Sequence, residues 1–166
     1  VHVMTDGFSG LMLGIHATGA RQLEIGGALK PSDQLVASGT LGSHGAALAA
    51  QLSQARLDDD VFSDVGSVAR LIRELARAGV RPRAIRFPFQ GGLAHALKDL
   101  ARRDGARILV EEDAVNSAEL VDRAVQAAAL QLDLSPLFEP SAGRLIVVVD
   151  KAETIVHKLH LTFRNQ

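Results

Sequence analysis

With 166 residues, 47% hydrophobic and 22% charged, the chain is sized for one globular domain able to bury a core. Its formal net charge of −1 gives no electrostatic attraction to nucleic acid or to an anionic membrane. The absence of cysteine excludes disulfides, thiolate metal sites and a cysteine nucleophile. The lack of Trp and Tyr removes the usual stacking platforms, and no apolar run is long enough to span a membrane.

In chain order, the first residue is Val1 rather than Met, with no charged leader and cleavage site, so the chain reads as a piece of something longer. Residues 1–30 are dotted with glycine and read as a strand-and-connector region. Lys30-Pro31-Ser32-Asp33 is a turn, and residues 34–38 (QLVAS) form a short strand. A glycine-rich loop, Gly39-Thr40-Leu41-Gly42-Ser43-His44-Gly45, follows it. Ser43 or Thr40 is placed to cap an Ala- and Leu-rich helix over about 44–54. The acids around Asp60 read as a solvated loop. Ser63-Asp64 opens a second helix whose apolar face is Val65, Val68, Ile72, Leu75 and Ala76, and Gly79 ends it.

A short apolar run, Ala84 to Phe89, then breaks at Gln90-Gly91-Gly92 into an amphipathic helix. Leu93, Leu97 and Leu100 make its buried stripe, with His95, Lys98, Asp99 and Arg102 opposite, and Gly105 stops it. Residues 107–111 (RILVE) read as a strand and Asn116–Glu119 as a capping box for a helix reaching about Gln131. The continuous apolar run in 144–149 (RLIVVV) predicts a strand buried on both faces. Residues 151–166 form a tail. Alternating strands and helices predict an α/β (α+β) fold, a mixed β-sheet covered by helices.

Chemistry-bearing constellations are few. His157 and His160 are three apart and could share a helix face as metal ligands or simply be solvated. Glu111-Glu112-Asp113 follows a strand and could hold Mg²⁺ beside a phosphate or be a wet strand end. The loops Gly39–Gly45 and Pro88–Gly92 each lead from a strand to a helix. If their strands are neighbours, two helix N-termini face one place, an arrangement suited to phosphate. The same Gly91-Gly92 pair equally fits a tight turn and close packing. Neither loop is a Walker A or dinucleotide fingerprint.

The run of motifs resembles a known family. Residues 35–45, ending SGTLGSHG, resemble the "VSGTIGDHG" segment of the hydrogenase expression/formation protein HypE family. Ser63-Asp64 matches a Ser-Asp at a helix start there. Residues 86–94 (RFPFQGGLA) stand where that family carries Arg-Asp-Pro-Thr-Arg-Gly-Gly-Leu-Ala. Residues 130–137 (LQLDLSPL) resemble "LLGLDPL", and 143–149 (GRLIVVV) resemble "GKLVAVV". Order and spacing agree over residues 34–150, which resembles the C-terminal domain of AIR synthase-related (PurM-like) proteins.

The resemblance implies three segments: a connector at 1–30, the domain at 31–150 and a tail at 151–166. It implies ligand-binding positions at Gly39, Thr40, Gly42, His44, Gly45, Asp64, Gly91 and Gly92, and a cytoplasmic location. It implies ATP and Mg²⁺ as the family's cofactors, most of whose ligands come from an N-terminal domain, and hydrogenase maturation proteins as partners. The family's ATP-dependent reaction dehydrates a carbamoylated cysteine to a thiocyanate, the source of cyanide for the NiFe centre, and this chain has no cysteine. Phe87, Phe89 and Gln90 replace the family's Asp, Thr and Arg, and Ser43 replaces an Asp; Gln cannot supply an Arg's charged fork to a phosphate.

The expectation is therefore an accessory or binding domain that does not turn over ATP alone. The alternatives are an inactive interaction module, suggested by Phe87-Pro88-Phe89, and part of a thiamine-phosphate kinase or selenophosphate synthetase type of enzyme. Self-association is expected through a face carrying Met4, Phe8, Leu11 and Leu13.

Overall fold

The computed structural model describes residues 14–57, 60–110 and 120–150. In chain order it contains β1 (Gln34–Ala37), α1 (Ser43–Ser53), α2 (Ala69–Arg77), β2 (Ala84–Arg86), α3 (Gly92–Asp104), α4 (Arg123–Leu132) and β3 (Ile146–Val149). The strands form one sheet in the order β1-β3-β2, so the strand last in sequence lies in the middle.

The all-apolar run in β3 accounts for that placement, since a strand with no polar side can only be covered on both faces. Every residue of β3 is buried. Side chains alternate along the strand: Ile146 and Val148 join a core with Leu41, Ala46, Ala84, Leu93, Leu97, Leu100, Val125 and Ala128. Leu145, Val147 and Val149 point the other way and meet Leu23, Leu75 and Val80. Thus α1, α3 and α4 supply one covering layer and α2 the other. Both neighbours pair antiparallel to β3, with Gln34 opposite Val149 and Ala84 opposite Val148. The expected helix-covered sheet is present, and its described strands are all antiparallel rather than of mixed direction.

Helix α3 follows its sequence pattern closely. Leu93, Ala96, Leu97 and Leu100 are buried, while His95, Lys98, Asp99 and Arg102 are exposed. Gly105 closes it in the left-handed conformation, φ 62°.

Four expectations change. The second helix begins at Ala69, not at Ser63, and Val65 is exposed. Ser63 and Asp64 instead lie in the loop before it, where their side chains bond to other parts of the chain. Helix α1 has Gly42 at its cap, with φ 83° and no side-chain cap bond, so neither Thr40 nor Ser43 caps it; Ser43 is buried within the first turn. Residues 107–110 form no strand, because no described strand hydrogen-bonds to them. Finally, α4 is capped by Asp122, whose carboxylate accepts from the Ala124 N–H. The proposed capping box at 116–119 lies outside the described residues, as do Glu111–Asp113, His157, His160, Met4, Phe8, Leu11 and Leu13.

Asp104, at the end of α3, ties the helix to the chain entering β1. Its carboxylate accepts from the Leu29 N–H at 2.7 Å and from Arg103. The Arg103 hydrogen bond, followed by that from Leu29, lowers its pKa to about 2. A carboxyl depressed in the folded state stabilises above its ordinary value near 3.8, and that contribution is lost as pH falls toward 2. Acid unfolding followed by circular dichroism should therefore show Asp104→Asn flattening the pH dependence between those limits. An unchanged acid limb would show that Asp104 does not contribute.

Candidate functional site

The two glycine loops do not leave adjacent strands, because β3 separates β1 from β2. They nevertheless converge, by way of the segment at 136–144 that leads into β3.

The first loop is held by short hydrogen bonds. Ser38 Oγ accepts from Leu145 N–H, and the Gly42 N–H donates to Ser141 Oγ at 2.7 Å. The Gly45 N–H donates to the Pro140 carbonyl at 2.9 Å. At the second loop the fully buried Pro88 accepts at its carbonyl from Ser141 N–H, at 2.8 Å, and the Ala94 N–H donates to Leu137 O at 2.9 Å. Gly92, at φ 59°, lies so close to this segment that a Cβ there would sit 2.6 Å from Leu137 O and 2.7 Å from Glu139 O. That close approach is what requires glycine at this position.

A third connection comes from Asp64. Its buried carboxylate accepts from Ala142 N–H through Oδ1 at 2.9 Å. Its Oδ2 lies 3.6 Å from Arg144 Nε, an ion pair without a hydrogen bond. Arg144 in turn donates from Nε to Thr40 O at 3.0 Å, and a Cβ on Gly39 would lie 3.0 Å from the same nitrogen. Gly39, Thr40 and Asp64 therefore surround one guanidinium.

His44 occupies the outer rim. Its Nδ1 is 2.9 Å from Ser63 Oγ, and its ring stacks on Phe89 with centroids 5.8 Å apart. Glu139 lies against Gly45 and Gly42, and burial raises its carboxyl pKa above the ordinary value.

Seven of the eight sequence-predicted positions thus border one region, and Gly91 precedes Gly92 as the cap residue of α3, next to His95. Ser141, Glu139 and Arg144 were not anticipated as members of it. The signal available was their position just before the strongest strand, where a buried centre forces its lead-in to cross the ends of its neighbours.

The chemistry open to this arrangement is narrower than two free helix N-termini would offer. Gly42, Gly45 and Ala94 already donate their amide N–H groups within the chain. Arg144 is the cation in contact with the cluster among the described residues, and it faces Asp64. No group of three or more metal-ligating side chains occurs among them. These residues do not by themselves fit an Mg²⁺-bound triphosphate. No helix among the described residues is long and apolar enough to cross a membrane.

Comparison with known proteins fits this geometry. Residues 30–160 match the family described as AIR synthase related protein, C-terminal domain. The carbamoyl dehydratase HypE of Rhodobacter capsulatus is 34% identical over 127 residues, covering 76% of this chain and 36% of that protein. The crystal structure of Escherichia coli HypE superposes with a TM-score of 0.72 at 31% identity, covering 82% of this chain and 42% of the other. A structure of the hydrogenase maturation protein HypE in complex with ATP superposes with a TM-score of 0.67 at 28% identity, over 79% of this chain and 38% of the other. The chain spans less than half the length of these relatives.

Proposed function

Because the chain belongs to the AIR synthase-related family through its C-terminal domain and is homologous to HypE, we propose that it serves hydrogenase maturation as a HypE-type C-terminal domain. In this reading residues 31–150 form the working unit, with 1–30 as a connector and 151–166 as a tail, and it acts in the cytoplasm. It forms one wall of a nucleotide cleft completed by an ATP- and Mg²⁺-binding domain, and does not turn over ATP alone. Gly39, Thr40, Gly42, His44, Gly45, Asp64, Gly91 and Gly92 shape that wall, and Arg144 supplies its cation. The supporting observation is the internal use of the loop amides, together with Phe87, Phe89 and Gln90 at positions where the family carries charged or polar residues.

The test is a calorimetric titration of Mg·ATP at low salt. The chain alone should give no heat at millimolar nucleotide. Mixed with the N-terminal domain of a HypE relative it should increase that domain's affinity, and Arg144→Ala should remove the increase. Micromolar binding by the chain alone would refute this reading and restore that of a self-sufficient nucleotide site.

A further inference from the structure

Helix α2 carries an arginine stripe that the nucleotide reading does not use. Arg70, Arg73 and Arg77 are spaced i, i+3, i+7, so they lie on one face of the helix, and all three are exposed. Between Asp64 and Asp99 the sequence holds six arginines and one lysine against a single acid, Glu74. A solvated helix face ordinarily sets acids against bases at i, i+4. Here Arg73 and Arg77 are like charges one turn apart, a pairing that opposes the helix.

The one acid does not relieve this at the surface. Glu74 is 2% exposed, and its Oε2 has no hydrogen-bond partner. Its Oε1 accepts from Arg77 Nη1 at 3.0 Å, while the Arg77 side chain is 66% exposed. A buried carboxylate with one oxygen unpaired costs stability. What it achieves is to hold one edge of the Arg77 guanidinium, leaving the other donors of that exposed fork for a partner. Arg73 has no hydrogen bond or ion pair among the described residues, whereas Arg70 is already engaged. This face is distinct from the wall of the glycine loops. Helix α2 begins beside that wall, where the main chain of Asp64 and Gly66 meets Gly143, and ends at Gly79, where the chain turns toward the start of β2. The glycine loops follow the other ends of β1 and β2.

We propose that this face of α2 is a docking surface for an acidic helical segment of a partner protein, with Arg73 and Arg77 as its contacts and Glu74 as the positioning residue behind Arg77. Arg73 and Arg77 are separated by about 6 Å along the axis, the rise between two carboxylates at i and i+4 of an opposing helix. A guanidinium fork takes a carboxylate through two parallel hydrogen bonds, and one already held in place loses less freedom in doing so. A short stripe on a chain of net charge −1 suits a few carboxylates rather than a long polyanion such as nucleic acid. This inference does not depend on the nucleotide reading.

Fluorescence anisotropy at low salt tests it, with a labelled alanine-based helical peptide carrying glutamates four residues apart. The peptide should bind, and Arg73→Glu/Arg77→Glu should weaken binding by at least about tenfold. Arg102→Glu/Arg107→Glu makes the same change in net charge at exposed positions in and just beyond α3, in the other covering layer, and should weaken it less than about twofold. Glu74→Ala separates positioning from charge. It makes the face more positive, so a surface acting by charge alone would bind more tightly. A positioned fork instead gives binding weaker by about threefold, with the circular dichroism spectrum retained. No binding at millimolar peptide, equal losses from the two arginine pairs, tighter binding by Glu74→Ala, or preference for a single-stranded oligonucleotide over the peptide at the same arginines would overturn the proposal.

Discussion

Replacing Gly92 by alanine is expected to lower stability by about 4 kcal/mol, and so the melting temperature by about 8–16 °C for a chain of this size. Two costs combine. At φ 59° an L side chain is strained, and the added Cβ would sit 2.6–2.7 Å from Leu137 O, Phe138 C and Glu139 O, all main-chain atoms. Main chain cannot swing aside as a side-chain tip can. The 136–141 segment would have to lift, taking with it the Ala94 and Gly45 hydrogen bonds to Leu137 O and Pro140 O. Gly79 provides the comparison. Its φ is 63°, but nothing lies within 4 Å of its Cβ position, so Gly79→Ala carries the backbone strain alone, about 1 kcal/mol. Equal losses for the two variants in denaturant titrations would show that the close packing at Gly92 contributes nothing.

Asp64→Ala should cost about 2 kcal/mol. The substitution strands the Ala142 N–H and removes the carboxylate facing Arg144, whose side chain is 30% exposed. That exposure lets water compensate part of the guanidinium's loss, so the figure falls below that for a fully buried pair. A double-mutant cycle with Arg144→Ala measures the link directly. The two losses should be non-additive by about 1 kcal/mol, since each variant removes the same contact. Strict additivity would mean that the 3.6 Å approach between Asp64 and Arg144 carries no coupling.

The contrast between Gly92 and Asp64 separates what local pattern reveals from what it does not. Helix α3 could be read in full because its information is local: a leucine stripe at helical spacing, a glycine pair in front and a glycine behind. The 144–149 run was equally legible, since an unbroken apolar strand has only one kind of environment open to it. The motif order over 34–150 pointed to the family that the sequence and structural comparisons then showed. Ser63-Asp64 was misread as a helix start because a Ser-Asp pair satisfies a local capping rule. The actual partners, His44 and Ala142, are distant along the chain, and no local rule registers them. Residues 107–110 have strand composition, but with no paired neighbour among the described residues that composition does not make a strand.

By itself the sequence determined the helix-covered sheet, a strand buried on both faces and the two glycine loops. These follow from periodicity, backbone conformational preference and side-chain identity, which short windows contain. Only the tertiary structure decided that β3 lies between β1 and β2, and that its lead-in, through Ser141 Oγ, Pro140 O and Leu137 O, occupies the Gly42, Gly45 and Ala94 amides. It also decided that all four described phenylalanines face outward. The physical reason is that a strand's place in a sheet and a hydrogen bond across 99 residues are set by which surfaces bury each other, a property of the assembled chain.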